Sequence, residues 1–202
     1  MVWSDPDSFW PLDLREPPGL VTQWRIRLLA SEPEVCRRVL ARAEIPSTLA
    51  PERPFANGCG YDDAVTLSGG ALTGTPAMRC AAAAAYAAWL RHVVQPAAER
   101  HLGARVVRTR TLGAFSCRDI AGRPGRRSQH ATANAIDVSG FDLSDGRRVT
   151  LLADWDKGEA GRFLREVRDG ACGLFAGALS PDWNAAHRDH FHFDMGRLVV
   201  CR

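Results

Sequence analysis

Two stretches of the chain, SQHATANAID (residues 128–137) and HRDHFH (residues 187–192), hold four of its six histidines. The first stretch reads as a loop that enters a strand, and it can bring His130 and Asp137 to one point. The second ends with two histidines separated by a phenylalanine, a pattern typical of a strand with one buried face. Both histidines of such a strand lie on the same face. We therefore predict that the two stretches meet in one small sheet.

This set of side chains is typical of a catalytic zinc site. Such a site has three protein ligands, usually histidine nitrogens and carboxylate oxygens, and a fourth position that stays open for water. We predict that His130, Asp137 and His192 are the zinc ligands. A zinc-activated water would then attack an amide, with His190 and His187 as the general base and as stabilisers of the tetrahedral intermediate.

Other side chains near these stretches are candidates for supporting roles. Asp189 or Asp194 would orient a ligand imidazole by accepting a hydrogen bond from the ring nitrogen that does not bind the metal. Arg118, Ser128 and Trp183 are predicted substrate-binding residues. A plain salt bridge is the alternative for the arginine, a loop-orienting hydrogen bond for the serine, and core packing for the tryptophan.

The composition indicates a soluble globular protein. The 202 residues are 46% hydrophobic and 24% charged, with a net charge of +3, which are ordinary values for such a protein. The densest basic run, residues 123–127, is short and has no interleaved aromatic side chains, so we expect no nucleic-acid partner. The longest apolar stretch, residues 80–90, is too short to cross a bilayer. We expect a monomer.

The six cysteines indicate export to the periplasm or cell envelope. None lies in a C-x-x-C pair, and an even number spread along the chain is typical of three disulfides. The alternative is a cytosolic protein with reduced, buried cysteines. We expect a signal or membrane anchor upstream of Trp3. The sequence does not select one connectivity, and our prediction pairs neighbours: Cys36 with Cys59, Cys80 with Cys117, and Cys172 with Cys201.

The predicted fold is α+β, a small antiparallel sheet with helices packed on one side and disulfides as staples. Residues 1–20 are rich in proline and aspartate and are predicted to form an extended arm. The rest, 21–202, is predicted to be a single domain with a helical part (21–103) and a zinc-site core (104–202). An alanine-rich helix is expected over residues 77–101, with a kink or break at Pro96.

The first stretch resembles the S-x-H-x-x-G-x-A-x-D signature of the LAS zinc peptidases, which include lysostaphin-type enzymes, D-Ala-D-Ala metallopeptidases and the hedgehog signalling domain. Ala133 replaces the glycine of that signature, and Cys117-Arg118 stands where these peptidases carry a substrate-contacting arginine. The closing histidines most resemble those of the penicillin-insensitive murein endopeptidase. The resemblance implies a LAS/hedgehog-like core and zinc at the matched positions, with histidine replacing the glutamate base of the carboxypeptidase branch.

Over nearly its whole length the chain is also similar to the bacterial extensin-like C-terminal domain family. The matching features include PLDL (residues 11–14), Cys80 before an alanine-rich helix, NAID (residues 134–137), Asp145-Gly146, and HFH-x-D (residues 190–194). Members often follow an N-terminal membrane or signal segment, which agrees with the expected export.

These observations predict a zinc metallopeptidase that hydrolyses amide bonds in peptidoglycan peptide stems. A cross-link endopeptidase is favoured over a D,D-carboxypeptidase because the histidine cluster resembles the endopeptidase branch. The alternative is a catalytically weak or inactive, zinc-containing cell-wall binding module, which Ala133 and the missing glutamate favour. A metal-free structural wall protein fits less well, because the proline-rich repeats of such proteins are absent.

Overall fold

The computed structural model describes residues 12–68 and 72–202. The predicted arm falls only partly within this range, because residues 1–11 lie outside the described residues. Residues 12–20 contain no helix or strand, and Leu12 and Leu14 are buried in the main apolar cluster.

The described residues contain six α-helices, of which the third is the alanine-rich segment. They are α1 (Thr22–Leu28), α2 (Pro33–Arg42), α3 (Cys80–Trp89), α4 (Gln95–Leu102), α5 (Leu151–Asp154) and α6 (Gly158–Ala171). The break expected at Pro96 is present, since a π-helical turn, Leu90–Val94, separates α3 from α4. Pro96 occupies the first turn of α4, where its missing amide proton costs no hydrogen bond.

The strands are short, and each sheet is small. They are β1 (Ser47–Leu49), β2 (Arg53–Ala56), β3 (Cys59–Tyr61), β4 (Ala64–Leu67), β5 (Met78–Arg79), β6 (Val106–Gly113), β7 (Asp119–Ile120), β8 (Arg123–Arg127), β9 (Ala135–Leu143), β10 (Arg148–Thr150), β11 (Gly177–Leu179), β12 (Phe191–Asp194) and β13 (Val200–Cys201). A mixed α/β architecture with small antiparallel sheets is therefore confirmed.

The main sheet has six strands arranged around β9. Strand β12 pairs with the first half of β9 and β10 with the second half, while β6 pairs along the length of β9. These pairings are antiparallel, as is that of β11 with β12, but the edge strand β13 joins β11 in parallel. A three-stranded sheet, β1-β4-β5, and two hairpins, β2–β3 and β7–β8, complete the strands of the described residues.

Aromatic side chains join the main sheet to the helices. Trp89, at the end of α3, packs edge-on against Phe193 of β12 with ring centroids 5.1 Å apart. Phe163 of α6 packs in the same way against Phe141 of β9 at 5.2 Å. All four side chains are fully buried, so this face of the sheet is the one that the helices cover.

Three disulfides connect the cysteines, and only one of them follows the predicted pairing. The prediction of Cys172–Cys201 is confirmed. The predictions of Cys36–Cys59 and Cys80–Cys117 are wrong, because the bonds are Cys36–Cys80 and Cys59–Cys117.

Tertiary packing explains these two pairings. Helix α2 lies against α3, so its buried Cys36 meets Cys80 at the first residue of α3. Cys59 lies in the hairpin β2–β3, next to the loop after β6 that carries Cys117. For these four cysteines, the partner in space is therefore not the nearest cysteine that the prediction chose.

The disulfides also indicate where the protein folds. Three such bonds form and persist in an oxidising environment outside the cytosol. Within the described part of the chain, no helix combines the length and apolar character needed to cross a bilayer.

The double variant Cys36→Ala/Cys80→Ala should have a free energy of unfolding lower by about 4 kcal/mol, because the bond closes a loop over 44 residues. Denaturant unfolding without reductant measures this loss. Peptide mapping of the non-reduced wild-type protein provides the control, with Cys172–Cys201 as the internal reference. A peptide containing Cys36 bonded to Cys59 would contradict the structure.

Candidate metal centre

The register between β9 and β12 places two of the predicted ligands side by side. Successive strand residues face opposite sides of a sheet, so Phe191 and Phe193 enter the core while His192 and Asp194 face away from it. His192 lies directly opposite Asp137 on β9. The two side chains are therefore neighbours on the face that the helices leave uncovered.

The third predicted ligand, His130, approaches from a short 3₁₀ turn, Gln129–Thr132, that precedes β9. The hydroxyl of Ser128 caps this turn and accepts a hydrogen bond from the backbone N–H of His130 at 3.3 Å. The carbonyl of His130 accepts a second bond, from the N–H of Ser116 at 3.1 Å. Hydrogen bonds within the turn before β9 and to the loop after β6 thus fix the position of this histidine.

The three side chains converge on one point. Nε2 of His130 lies 3.0 Å from Oδ1 of Asp137 and 3.0 Å from Nδ1 of His192. The distance between Nδ1 of His192 and Oδ1 of Asp137 is 2.9 Å. Tetrahedral zinc ligands at bond lengths of about 2.0–2.2 Å stand roughly 3.3–3.5 Å apart. A shift of a few tenths of an ångström would fit this triad around one ion, so the triad can hold a metal.

Each ligand imidazole has a hydrogen-bond acceptor at its other nitrogen. Nδ1 of His130 donates to the carbonyl of Ala114 at 2.9 Å, and Nε2 of His192 donates to Oδ2 of Asp194 at 3.2 Å. These bonds keep a proton on the outer nitrogen of each ring. The facing nitrogens are therefore the ones that can give up their protons and bind a metal ion.

Two glycines make room for the carboxylate of Asp194. A Cβ atom on Gly177 would stand 2.2 Å from one carboxylate oxygen, and a Cβ on Gly196 would stand 2.7 Å from the other. The N–H of Gly196 also donates to Oδ1 of Asp194 at 2.6 Å. The carboxylate is therefore fixed in place behind His192.

The two predicted orienting aspartates differ in what they contact. Asp194 contacts the ligand His192, whereas Asp189 lies 2.8 Å from Nδ1 of His190. Only Asp194 is therefore in position to orient a ligand imidazole.

The triad is strongly coupled electrostatically. Burial favours the neutral carboxyl of Asp137, but hydrogen bonds from His130 and His192 outweigh it and hold the pKa of that carboxyl well below its usual range. Burial also opposes the charged form of His192, but Asp137 and Asp194 outweigh it and raise the pKa of this imidazole to about 9. A cation is thus strongly favoured at this point, whether it is a proton or a metal ion.

An open cavity of about 410 Å³ borders the triad. Nε2 of His190 lies 3.8 Å from Oδ1 of Asp137, and the rings of His187 and His190 are 5.2 Å apart. Nδ1 of His187 bonds to the side-chain oxygen of Asn184 at 2.8 Å. Burial and the neighbouring imidazoles lower the pKa of His187 to about 4, so its ring is neutral at pH 7. The structure therefore brings all four histidines of the two stretches together.

The predicted substrate-binding residues lie in different places. Arg118 lines the cavity, and its Nη2 donates to Oδ2 of Asp137 at 3.3 Å. Ser128 and the exposed Trp183 are not among the residues that line the cavity.

The sequence interpretation missed two hydrogen-bond acceptors of the histidines, the carbonyl of Ala114 and the side chain of Asn184. A backbone carbonyl leaves no mark in a sequence, but an asparagine three residues before His187 is a recognisable cap.

Comparison with known proteins identifies the family of this chain. The family model described as extensin-like protein C-terminus matches residues 34–202, which include the whole metal centre. No curated protein and no solved structure matches the chain. Because the match covers most of its length, the chain belongs to the extensin-like protein C-terminus family.

Proposed function

We propose that the protein is an exported zinc metallopeptidase of the periplasm or cell envelope that hydrolyses amide bonds in peptidoglycan peptide stems. A cross-link endopeptidase is favoured. The observation that supports this most is the triad of His130, Asp137 and His192, whose ligand atoms converge on one point beside an open cavity. The substrate class rests on the resemblance of the two stretches to LAS peptidases, and so does a LAS/hedgehog-like core.

The donor set fits zinc. Two imidazole nitrogens and one carboxylate oxygen are the ligands of a catalytic zinc site, whereas calcium and magnesium prefer oxygen ligands alone. No thiolate competes, because all six cysteines form disulfides. When bound, zinc would polarise the scissile carbonyl and lower the pKa of a water in the open position.

The side chains around the cavity can handle the protons. Asp189 accepts the Nδ1 proton of His190, which leaves Nε2 of that ring free to take a proton from the attacking water and pass it to the leaving amine. The neutral ring of His187 lies beside it and can take part in the same transfer. Arg118, about half exposed, can donate a hydrogen bond to a peptide carbonyl or carboxylate.

Ala133 does not argue against catalysis. It adopts a left-handed conformation, φ 52°, at the end of the turn that carries His130, and glycine is the residue that adopts this conformation most readily. Alanine in this conformation costs roughly 1 kcal/mol. Its methyl group is buried against Tyr61 and Ala64, which returns about 0.8 kcal/mol. The turn therefore keeps its shape with alanine.

Elemental analysis of the dialysed protein should find about one zinc per chain. The variant His130→Ala should lose this zinc, because two protein ligands bind too weakly. His101→Ala is the matched control, since His101 contacts Glu166 outside the site, and it should keep the metal. A metal-free wild-type protein, or a His130→Ala variant with full zinc content, would contradict the proposed site.

The variant Asp194→Asn should lower zinc affinity by roughly 10- to 100-fold, because it replaces the charged acceptor behind His192. Asp189→Asn should leave zinc affinity unchanged, because Asp189 contacts His190 instead. Competition with a fluorescent zinc chelator measures both variants. Equal losses in the two variants would show that a general change of charge, and not the orientation of His192, causes the effect.

Purified cross-linked muropeptides should be cleaved by the zinc-loaded protein and left intact in the presence of a chelator. His190→Gln should lower kcat by roughly 10²- to 10⁴-fold while zinc content stays at the wild-type level, because the proton acceptor is lost and the ligands remain. Chromatography of the products gives the rates. Zinc content and binding to sacculi without any cleavage would instead select the non-catalytic binding module.

A further inference from the structure

The cavity at the metal centre adjoins a second one. This second cavity has a volume of about 690 Å³, and Gly113 and Phe115 line both. Gly113 has φ 112°, and a Cβ atom built on it would meet nothing within 4 Å. The two cavities therefore adjoin at Gly113, which places no side chain between them, and we refer to the pair as one groove. We call the part away from the metal centre the far half; Arg53, Tyr61, Pro76 and Phe115 are among its lining residues.

The far half contains an arginine, Arg53, that stacks on an aromatic ring. The guanidinium of Arg53 lies over the ring of Phe115, 4.9 Å from its centroid, and this ring meets the buried ring of Tyr61 edge-on at 5.3 Å. No carboxylate of the described residues pairs with Arg53. Stacking occupies only the face of the guanidinium, so the N–H donors at its edge remain available for a planar anion.

The wall that carries Arg53 is fixed relative to the metal centre. The disulfide Cys59–Cys117 ties the hairpin β2–β3 to the loop that carries Phe115. The side chain of Arg127 adds a hydrogen bond from its Nε to the carbonyl of Asn57 at 2.8 Å. The far half is therefore formed before any ligand arrives, which reduces the entropic cost of binding.

The charge of the far half fits a single carboxylate. Glu52 also lines the far half but forms no ion pair with Arg53, so one guanidinium is available for one carboxylate, whereas a polyanion such as a nucleic acid would meet a single unpaired cation beside a glutamate. A peptide offers both a carboxylate for the guanidinium edge and apolar surface for the groove wall. The volume of the far half lies within the range of ordinary ligand pockets.

We propose that the far half is a binding subsite for a carboxylate-bearing segment of peptide adjoining the cleaved bond, with Arg53 as the residue that binds the carboxylate. The peptide leaves the metal centre over Gly113 and passes Phe115. This inference rests on the proposed function for the nature of the substrate.

The test is a binding measurement that needs no turnover. Isothermal titration of the zinc-loaded protein uses a peptidoglycan stem tetrapeptide with free carboxylates and the same peptide with its carboxylates converted to carboxamides. Arg53→Ala should weaken binding of the free-acid peptide by roughly tenfold or more. Arg53→Lys should restore part of this affinity, because it keeps the charge but not the planar fork. Arg123→Ala, on the exposed strand β8, is the matched control and should bind as the wild-type protein does.

Three results would overturn the subsite: no binding of the free-acid peptide, equal affinity of the wild-type protein for both peptides, or unchanged affinity in Arg53→Ala. The His190→Gln protein separates this test from that of the proposed function. Suppose that the His190→Gln protein binds the free-acid peptide more tightly than the carboxamide peptide, and that Arg53→Ala removes this difference in affinity. If the wild-type protein then cleaves no muropeptide, the peptidase proposal fails and the subsite stands. If the wild-type protein cleaves muropeptides but Arg53→Ala leaves the affinity for the free-acid peptide unchanged, the subsite fails and the peptidase proposal stands.

Discussion

The direct pairing of His192 with Asp137 across β12 and β9 is the constraint on which the rest of the site depends. A slip of one residue would turn His192 into the core and expose the phenylalanines beside it. Because Phe191 and Phe193 are completely buried against the helices, the apolar core itself prevents that slip. The same packing that stabilises the fold thus keeps the side chains of His192 and Asp137 on the open face of the sheet.

The groups behind the candidate ligands come from both near and distant parts of the chain. Asp194, two residues after His192, fixes that imidazole, whereas the carbonyl of Ala114 on the loop after β6 fixes His130 and Gly177 on β11 leaves space for the carboxylate of Asp194. The disulfide Cys59–Cys117 then joins the loop after β6 to the hairpin that walls the groove. An extracytosolic protein can use covalent bonds to hold such long loops, where a larger core would otherwise be needed.

The sequence predicts the parts of this arrangement that depend on local periodicity. Alternation of phenylalanine with histidine and aspartate is enough to predict strand β12 and the face on which His192 lies. Disulfide pairing depends on how α2 packs on α3, which no local pattern encodes, so the pairing of Cys36 was predicted wrongly while the short-range Cys172–Cys201 was predicted correctly. Backbone acceptors and the groove beyond Phe115 likewise arise only when separate segments come together.

X-ray absorption at the zinc edge of the zinc-loaded protein tests the central claim most directly. If His130, Asp137 and His192 coordinate one zinc ion, the spectrum should show nitrogen and oxygen ligands at about 2.0–2.2 Å and the scattering signature of two imidazoles. His192→Ala should reduce that signature to one imidazole or abolish zinc binding. Sulfur scattering at about 2.3 Å, an imidazole-free shell, or an unchanged spectrum in His192→Ala would contradict the account.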